Sequence, residues 1–259
     1  MKYKTLNIAL YQADLAWEQP KTNVDKLWSH EKKLHDIDLL VCPEMFTTGF
    51  SMNVEKIGKP HKSEDFHAIA DLAKKTQTSI VFSMIVCEAG MCYNRLYFIF
   101  PDGSEAHYDK KHLFRMGDEH HHYSAGHKQL LVDVKGWRIM PLVCYDLRFP
   151  VWSRNTMNYD LLIYVANWPA PRADVWKSLL IARALENQAY VVGVNRIGKD
   201  GRNLSYQGDS LLFDAKGNVL LDAGDEEKLV SGSITKDDLM AFRKKFPVLK
   251  DRDNFRLTD

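Results

Sequence analysis

The stretch IMPLVCYD, residues 139–146, carries the clearest fold signal in the chain. Five apolar residues in succession predict a strand buried on both faces, and the polar residues after Cys144 predict a sharp turn into a helix near Pro150. Similar apolar strands are predicted at 161–166 and 190–195, with a helical pattern over 172–188 between them. Strands that alternate with helices in this way indicate an α/β fold with parallel pairing.

The same alternation extends toward both ends of the chain. Hairpins lie among the alternating elements, so we expect a mixed sheet, or a pair of sheets, covered by helices. One domain over residues 1–259 is the simpler organisation, with the charged C-terminal segment from about 246 as a tail or arm. The further predicted elements are strands at 6–13, 37–42, 79–86 and 229–234, helices at 65–75 and 236–245, and hairpins at 95–109, 130–143 and 210–221.

Composition excludes several classes of protein. The 259 residues include 35 Lys and Arg and 34 Asp and Glu, giving a formal net charge of +1. A balance this close to zero argues against nucleic acid or a membrane surface as a partner held mainly by charge. The longest run without a charged residue, Thr76 to Cys87, has twelve residues, whereas a membrane span needs about 18. The first residues lack the pattern of a secretory signal, so we expect a cytoplasmic protein.

Four cysteines, Cys42, Cys87, Cys92 and Cys144, are not spaced as a zinc site. A disulfide framework is not expected in a reducing compartment, and a chain of this length builds a core without one. We therefore expect the cysteines to be core residues, with Cys144 as the one candidate for reactivity.

Three reactive groups follow predicted strands at the points where the chain leaves the sheet, which is where α/β proteins place their sites. Glu44 follows an apolar strand, so that burial would raise its pKa and suit a general base, although a helix cap or an ion pair fits as well. Lys110 follows a hairpin and could hold negative charge on oxygen, or be one of a solvated pair with Lys111. Cys144 stands where a nucleophile elbow would place it, or is a small buried apolar residue.

A histidine tract, His120 to His122 with His127 nearby, is a weaker candidate for metal binding. Adjacent histidines in an extended chain alternate faces and chelate poorly together, and the H-E-x-x-H pattern is absent from the sequence. Neither glycine-rich phosphate-binding motif occurs, so a nucleotide site is not predicted.

The glutamate, the lysine and the cysteine, in this order and with these flanks, resemble the nitrilase superfamily of carbon–nitrogen hydrolases. The likeness runs from the first strand to about Leu249. The matching words are Pro43-Glu44-Met45-Phe46 with Thr48-Gly49-Phe50, Tyr108-Asp109-Lys110-Lys111-His112-Leu113-Phe114, and Val143-Cys144-Tyr145-Asp146-Leu147-Arg148-Phe149-Pro150.

This resemblance implies a four-layer α-β-β-α sandwich, usually paired as a homodimer, with no metal or organic cofactor. It implies that Glu44 is the general base, Lys110 the oxyanion stabiliser and Cys144 the nucleophile, with the backbone N–H of Tyr145 as a second oxyanion donor. Glu119 stands where many members have a second glutamate that orients the lysine. The Pro-Gly that usually follows is Ala125-Gly126 here.

Substrate choice is indicated by a different stretch. Residues 165–172, VANWPAPR, with 182–190 and 193–196, look like the omega-amidase branch, which hydrolyses the terminal amide of short 2-oxo dicarboxylic monoamides such as 2-oxoglutaramate and 2-oxosuccinamate. The carboxylate of such a substrate needs a cation, and arginine suits bidentate capture. Arg172 is the first candidate, with Trp168 as a pocket wall, unless Arg172 pairs with an acid such as Asp174. Arg148 is the second candidate.

Other readings of the same residues lead to different experiments. An N-carbamoyl amino acid hydrolase or another aliphatic amidase of the superfamily would share the catalytic residues and differ in the pocket. A binding protein with a dead site would be indifferent to loss of Cys144. A metallohydrolase built on His120 to His122 would be abolished by a chelator.

Overall fold

Fourteen strands and seven α-helices form the regular structure of residues 4–257, the part of the chain that this computed structural model describes. The predicted strands at 161–166 and 190–195 and the helix at 236–245 have the expected bounds. The strands are β1 (Thr5–Gln12), β2 (Leu39–Val41), β3 (Ser79–Glu88), β4 (Met91–Ile99), β5 (Glu105–Asp109), β6 (Val132–Val134), β7 (Trp137–Val143), β8 (Leu161–Ala166), β9 (Tyr190–Asn195), β10 (Ile197–Lys199), β11 (Ser205–Gln207), β12 (Leu211–Phe213), β13 (Val219–Asp222) and β14 (Lys228–Thr235). The helices are α1 (Pro20–Trp28), α2 (Val54–Ile57), α3 (Glu64–Thr76), α4 (Glu119–His122), α5 (Pro150–Ser153), α6 (Ala173–Asn187) and α7 (Lys236–Lys245).

Two six-stranded sheets share one plan. The first has the order β14-β1-β2-β3-β4-β5 and the second the order β13-β12-β9-β8-β7-β6. Three parallel strands form the centre of each sheet, β1-β2-β3 in one and β7-β8-β9 in the other, and antiparallel strands flank them. The carboxyl ends of parallel strands lie at one edge of a sheet, so each sheet gathers its strand-end residues at one place.

Side chains alternate between the two faces of the first sheet. Leu6, Ile8 and Leu10 of β1 belong to the apolar cluster that also contains the second sheet, whereas Ala9 and Tyr11 face the other way, into the cluster with α1 and α3. Both faces are thereby covered, which explains why the strands read as continuous apolar runs in the sequence.

Helix α6 closes the outer face of the second sheet. A β-carbon at Gly193 in β9 would lie within 2.6 Å of Leu180 and Trp176, so glycine permits this close approach of helix to strand. The layers are therefore helix, sheet, sheet and helix, and the predicted α-β-β-α sandwich is confirmed.

The expectation that all four cysteines stay unpaired is wrong. Cys87 and Cys92 form a disulfide, while Cys42 and Cys144 are free. The cause is strand register: β3 and β4 form a hairpin in which Cys87 is directly opposite Cys92. Sequence reasoning began the second of these strands at Arg95, four residues late, and so did not place the two cysteines side by side.

The C-terminal segment after α7 continues through one turn of 3-10 helix, Val248–Lys250. It lies against its own chain, because Arg252 Nη1 donates to the carbonyl of Asn155 and to Oδ1 of Asn158 at 2.6 and 2.9 Å. Within residues 4–257, none of the helices is long and apolar enough to cross a membrane.

Candidate active site

Cys144 occupies a strained turn directly after β7. Its φ angle is +44°, in the left-handed region that residues other than glycine seldom adopt. Asp146 fixes the turn, since its Oδ2 accepts hydrogen bonds from the Val143 N–H at 3.0 Å and the Tyr108 hydroxyl at 2.8 Å, and its Oδ1 accepts the His112 N–H at 3.0 Å. The chain thus holds the thiol at the end of the strand by contacts with the neighbouring loop.

A short 3-10 helix, Cys144–Arg148, follows the turn. Tyr145 is in its first turn, where backbone N–H groups have no acceptor within the helix. The N–H of Tyr145, the residue after Cys144, therefore has no acceptor within this helix.

Glu44 is buried at the carboxyl end of β2, in the opposite sheet. Its Oε1 accepts hydrogen bonds from Lys110 Nζ at 2.9 Å and Asn94 Nδ2 at 2.8 Å. Its Oε2 accepts the backbone N–H of Asn167 at 2.8 Å. Oε1 is doubly occupied, so Oε2 is the oxygen left with capacity for a further proton donor.

Lys110, directly after β5, is buried between two carboxylates. Its Nζ lies 2.9 Å from Glu44 Oε1 and 3.0 and 2.9 Å from the two oxygens of Glu119. Burial by itself would lower the pKa of this ammonium, but Glu119 and Glu44 outweigh it and raise the pKa, so the lysine is a fixed cation.

Glu119 is the second carboxylate of this cluster. Burial raises its pKa, Lys110 opposes that shift, and the charge of Glu44 adds to it. Its Oε2 also accepts the backbone N–H of Phe114 at 2.5 Å. Gly126, the glycine of the altered Ala125-Gly126 pair, donates its N–H to the Lys110 carbonyl at 2.9 Å, so this segment supports the lysine without the usual proline.

The Cys144 thiol faces this cluster from the second sheet. Burial raises the pKa of the thiol well above its ordinary value, the charge of Glu44 raises it further, and Lys110 acts in the opposite sense. The Sγ atom lies 3.9 Å from the carbonyl oxygen of Asn167. These effects favour the protonated thiol, and a thiol in this form would need a base in order to act as a nucleophile.

A cavity of about 210 Å³ opens over the thiol, and Glu44, Lys110 and Cys144 all line it. Its wall combines aromatic residues with arginines, in addition to Lys110, which suits a small ligand with an apolar middle and an anionic end. The aromatic residues are Phe50, Phe114, Tyr145, Trp168 and Tyr206, and the arginines are Arg148, Arg172 and Arg202.

The family model described as "Carbon-nitrogen hydrolase" matches residues 7–244. The chain belongs to the carbon–nitrogen hydrolase family. The predicted membership of the nitrilase superfamily is thus confirmed.

Curated relatives are similar over nearly the whole chain. An omega-amidase YafV of Yersinia enterocolitica is 44% identical over 98% of this chain and 99% of its own length. An omega-amidase YafV of Escherichia coli (strain K12) is 42% identical over 97% and 98%. A 2-oxoglutaramate amidase of Bacillus subtilis is 36% identical over 94% and 96%. The predicted likeness to the omega-amidase branch is confirmed by these relatives.

Solved structures share the fold. XC1258 from Xanthomonas campestris, a CN-hydrolase superfamily protein with an arsenic adduct in its active site, superposes with a TM-score of 0.97 at 39% identity over 99% of this chain and all of that one. Nit3 of Saccharomyces cerevisiae superposes with a TM-score of 0.87 at 22% identity over 97% of each chain, a likeness of fold alone.

Both arginines proposed from the sequence reach the cavity of this carbon–nitrogen hydrolase. The Arg172 guanidinium lies 5.5 Å from the Phe114 ring centre, and that of Arg148 lies 5.0 Å from the Trp168 ring centre. The alternative pairing of Arg172 with Asp174 does not occur, because within residues 4–257 neither arginine forms an ion pair with a carboxylate. Both charges are therefore available to an anionic ligand.

Trp168 is held rigidly as a wall. Its backbone N–H donates to Asn195 Oδ1 at 2.7 Å, and its indole N–H donates to the Arg172 carbonyl at 2.8 Å. The ring therefore stays in place while it contacts Arg148 on one side and supports the backbone of Arg172 on the other.

The histidine tract does not have the extended conformation assumed for it. His120 to His122 belong to the single turn of α4, and the rings of His120 and His121 are 3.8 Å apart. Among the residues that the structure describes, no group of three or more His, Cys, Asp or Glu side chains is arranged to hold a metal ion.

Sequence reasoning missed several residues of the site. Asn94 contacts Glu44 and Glu119 from the middle of β4, and the signal was an asparagine, followed by Arg95, within a strand that is otherwise mostly apolar. Asn167 was quoted without a role, although it follows β8 as Cys144 follows β7. The hairpin of β10 and β11, whose loop brings Arg202 to the cavity, was not predicted because its strands have only three residues each.

Proposed function

We propose that this carbon–nitrogen hydrolase is an omega-amidase that cleaves the terminal amide of short 2-oxo dicarboxylic monoamides, such as 2-oxoglutaramate and 2-oxosuccinamate, to the acid and ammonia. The observation that carries the proposal is the meeting of Glu44, Lys110 and Cys144 at one small cavity that also presents arginines. Of these, Arg148 and Arg172 form no ion pair with a carboxylate within residues 4–257. The relatives described as omega-amidase and 2-oxoglutaramate amidase support this choice of substrate.

Acylation begins when Glu44 Oε2 takes the thiol proton while Sγ of Cys144 attacks the amide carbon. The carbonyl electrons move to oxygen, and the oxyanion accepts hydrogen bonds from Lys110 Nζ and the Tyr145 N–H. Glu44 then gives its proton to the amide nitrogen, the carbon–nitrogen bond breaks, and ammonia leaves. The products of this half-reaction are a thioester on Cys144 and an ionised Glu44.

Deacylation uses the same groups. Glu44 takes a proton from a water molecule, whose oxygen attacks the thioester carbon. The second oxyanion is held by Lys110 and the Tyr145 N–H as before. Collapse expels the thiolate, which recovers its proton from Glu44, and the dicarboxylic acid departs. With the amide and one water molecule as reactants, the atoms and protons of both half-reactions balance.

The far carboxylate of the substrate is assigned to Arg172, with Trp168 as the wall beside it and Arg148 as the second candidate. A charge-assisted hydrogen bond to such a group is worth about 1.5–3 kcal/mol, equivalent to roughly 10- to 150-fold in binding. An omega-amidase should therefore prefer the carboxylated amide to a neutral amide of similar length by a factor of this order.

A panel of amides tests the proposal. Release of ammonia from 2-oxoglutaramate and 2-oxosuccinamate is expected, at higher kcat/KM than from butyramide or from N-carbamoyl-β-alanine, with the Cys144→Ser protein as the inactive control. Preferential turnover of the carbamoyl compound would identify an N-carbamoyl hydrolase of the same family instead.

The proposal includes a homodimer, as the resemblance implies, and the cytoplasmic location expected from the sequence. Light scattering of the purified chain should give a mass near twice 29.9 kDa. A mass of one chain at working concentration would contradict the dimer and leave the catalytic assignment untouched.

A further inference from the structure

A buried relay of hydrogen bonds lies behind the catalytic cluster. Asn94 in β4 is fully buried, and its Nδ2 donates to Glu44 Oε1 at 2.8 Å and to Glu119 Oε1 at 3.2 Å. Its backbone carbonyl accepts the N–H of Lys110 at 3.1 Å. One residue therefore contacts all three charged members of the cluster without reaching the cavity, since Asn94 is not part of the cavity lining.

Ser83 in β3 fixes the orientation of this amide. Its Oγ accepts the backbone N–H of Met45 at 2.8 Å and lies 2.8 Å from Asn94 Oδ1. The hydroxyl has one proton, and with Met45 as donor on the other side that proton goes to Asn94 Oδ1. The NH₂ group of Asn94 must then face the two carboxylates. The flipped amide would set its oxygen against two negative charges and its NH₂ toward Met45 and Ser83.

The need for such a neutral donor follows from the count of protons on Lys110. The ammonium has three protons, and three carboxylate oxygens lie within 3.0 Å of it. To stabilise an oxyanion, Lys110 must turn one proton away from a carboxylate. A carboxylate that relied on Lys110 alone would then be left buried and short of a donor.

We propose that Asn94 is a positioning residue for the hydrolysis, and that Ser83 holds it in its working orientation. Asn94 keeps Glu44 turned so that Oε2 faces the thiol, and it keeps donating to both carboxylates while Lys110 turns toward the oxyanion. This inference rests on the proposed function only in assigning Glu44 as base and Lys110 as oxyanion donor.

The first test is Asn94→Asp. The introduced carboxyl group has the shape of the amide, and burial beside two carboxylates raises its pKa. While protonated it donates one hydrogen bond where the amide donates two, and once ionised it places a third negative charge in the cluster. The ratio of kcat/KM to that of the parent enzyme should therefore fall about tenfold or more between about pH 6 and pH 9, because the protonated fraction falls tenfold per unit above the pKa.

The second test is Ser83→Ala, which keeps Asn94 and releases its orientation. The Asn94 amide oxygen loses its donor and the Met45 N–H loses its acceptor, so kcat/KM should fall about 10- to 100-fold with KM nearly unchanged. Asn155→Asp is the matched control for Asn94→Asp. Asn155 is also fully buried, but it forms hydrogen bonds with Tyr159 and Asn187 rather than with the cluster. This control should lower the melting temperature and give an activity ratio that does not vary with pH.

Alkylation of Cys144 by iodoacetamide, followed on its own peptide by mass spectrometry, separates this inference from the proposed function because it requires no amide substrate. A third negative charge disfavours the thiolate, so Asn94→Asp should react more slowly than the parent by a factor that grows with pH. If the parent does not hydrolyse 2-oxoglutaramate but this factor appears, the substrate assignment is wrong and the relay stands. A pH-independent ratio in both assays, or Ser83→Ala within threefold of the parent, overturns the relay.

Discussion

Replacement of Glu119 by glutamine tests how the buried cluster holds its cation. All four contacts of the Glu119 carboxylate are with donors: Lys110 Nζ on both oxygens, Asn94 Nδ2 on Oε1 and the Phe114 N–H on Oε2. The NH₂ of a glutamine must replace one of these oxygens. If the NH₂ replaces Oε1 it faces Lys110 and Asn94, and if it replaces Oε2 it faces Lys110 and the Phe114 N–H.

The expected cost follows from that geometry. Each buried donor left without an acceptor costs about 1–3 kcal/mol, and breaking a buried ion pair by removing one partner costs about 3–5 kcal/mol. Because burial raises the pKa of Glu119, the neutral side chain recovers part of its own desolvation. We therefore expect Glu119→Gln to lower the free energy of unfolding by about 2–4 kcal/mol, or about 5–15 °C in melting temperature.

The loss of kcat should exceed the loss that unfolding of the less stable protein would cause. Lys110 keeps Glu44 as its only carboxylate partner in the cluster, so its Nζ is drawn away from the oxyanion position. Loss of one oxyanion donor typically costs about 100- to 1000-fold in kcat, and we expect a loss of this order in ammonia release.

The measurements are thermal unfolding by circular dichroism and ammonia release from 2-oxoglutaramate below the melting temperature. Asp25→Asn, at an exposed i,i+4 pair with Lys21, is the control for a carboxylate changed to an amide, and it should alter neither quantity appreciably. A Glu119→Gln enzyme with parental kcat/KM would refute the reasoning, whatever its melting temperature.

Three further predictions concern the nucleophile, the base and the substrate cation. Glu44→Gln removes a charge that raises the pKa of the thiol, so it should abolish ammonia release while the apparent pKa of Cys144 alkylation moves down; an upward shift would contradict the electrostatic assignment. Cys144→Gly should be more stable than Cys144→Ala by about 1 kcal/mol in free energy of unfolding, and so unfold at a higher temperature, because glycine adopts the positive φ without strain. Equal melting temperatures would show that the turn is not strained. Arg172→Gln should lower kcat/KM for 2-oxoglutaramate about 10- to 100-fold and leave that for butyramide within about threefold, and the same pattern for Arg148→Gln alone would transfer the role to Arg148.

The strand-end rule explains how much of the site the sequence predicted. Glu44, Lys110 and Cys144 stood out because each follows a predicted strand at the point where the chain leaves the sheet. The residues alone left an alternative open for each of the three, so the resemblance to a family was needed to choose, and Glu119 rests on that resemblance alone.

What escaped prediction depends on which strands pair and in which register. Asn94 and Ser83 lie within strands, and their contact exists only because β3 and β4 pair antiparallel with Ser83 opposite Leu96. The Cys87–Cys92 bond has the same origin. A single sequence marks the apolar face of a strand, but it does not give the diagonal neighbours across a hairpin, and here those neighbours place Asn94 against Ser83 beside Glu44 and Glu119.

The proposed base and the proposed nucleophile come from different sheets, Glu44 from the end of β2 and Cys144 from the end of β7. The distance between the Glu44 and Cys144 side chains therefore depends on the distance between the two sheets. Buried side chains such as Val81 and Leu142 belong to the apolar cluster between the two sheets. They help to set the distance between the sheets although they do not line the cavity. If such a side chain is replaced by a smaller one, the sheets move closer by a fraction of an ångström. Proton transfer between Glu44 and Cys144 is sensitive to displacements of that size. Replacing Val81 or Leu142 by a smaller residue should therefore lower kcat more readily than it lowers the melting temperature.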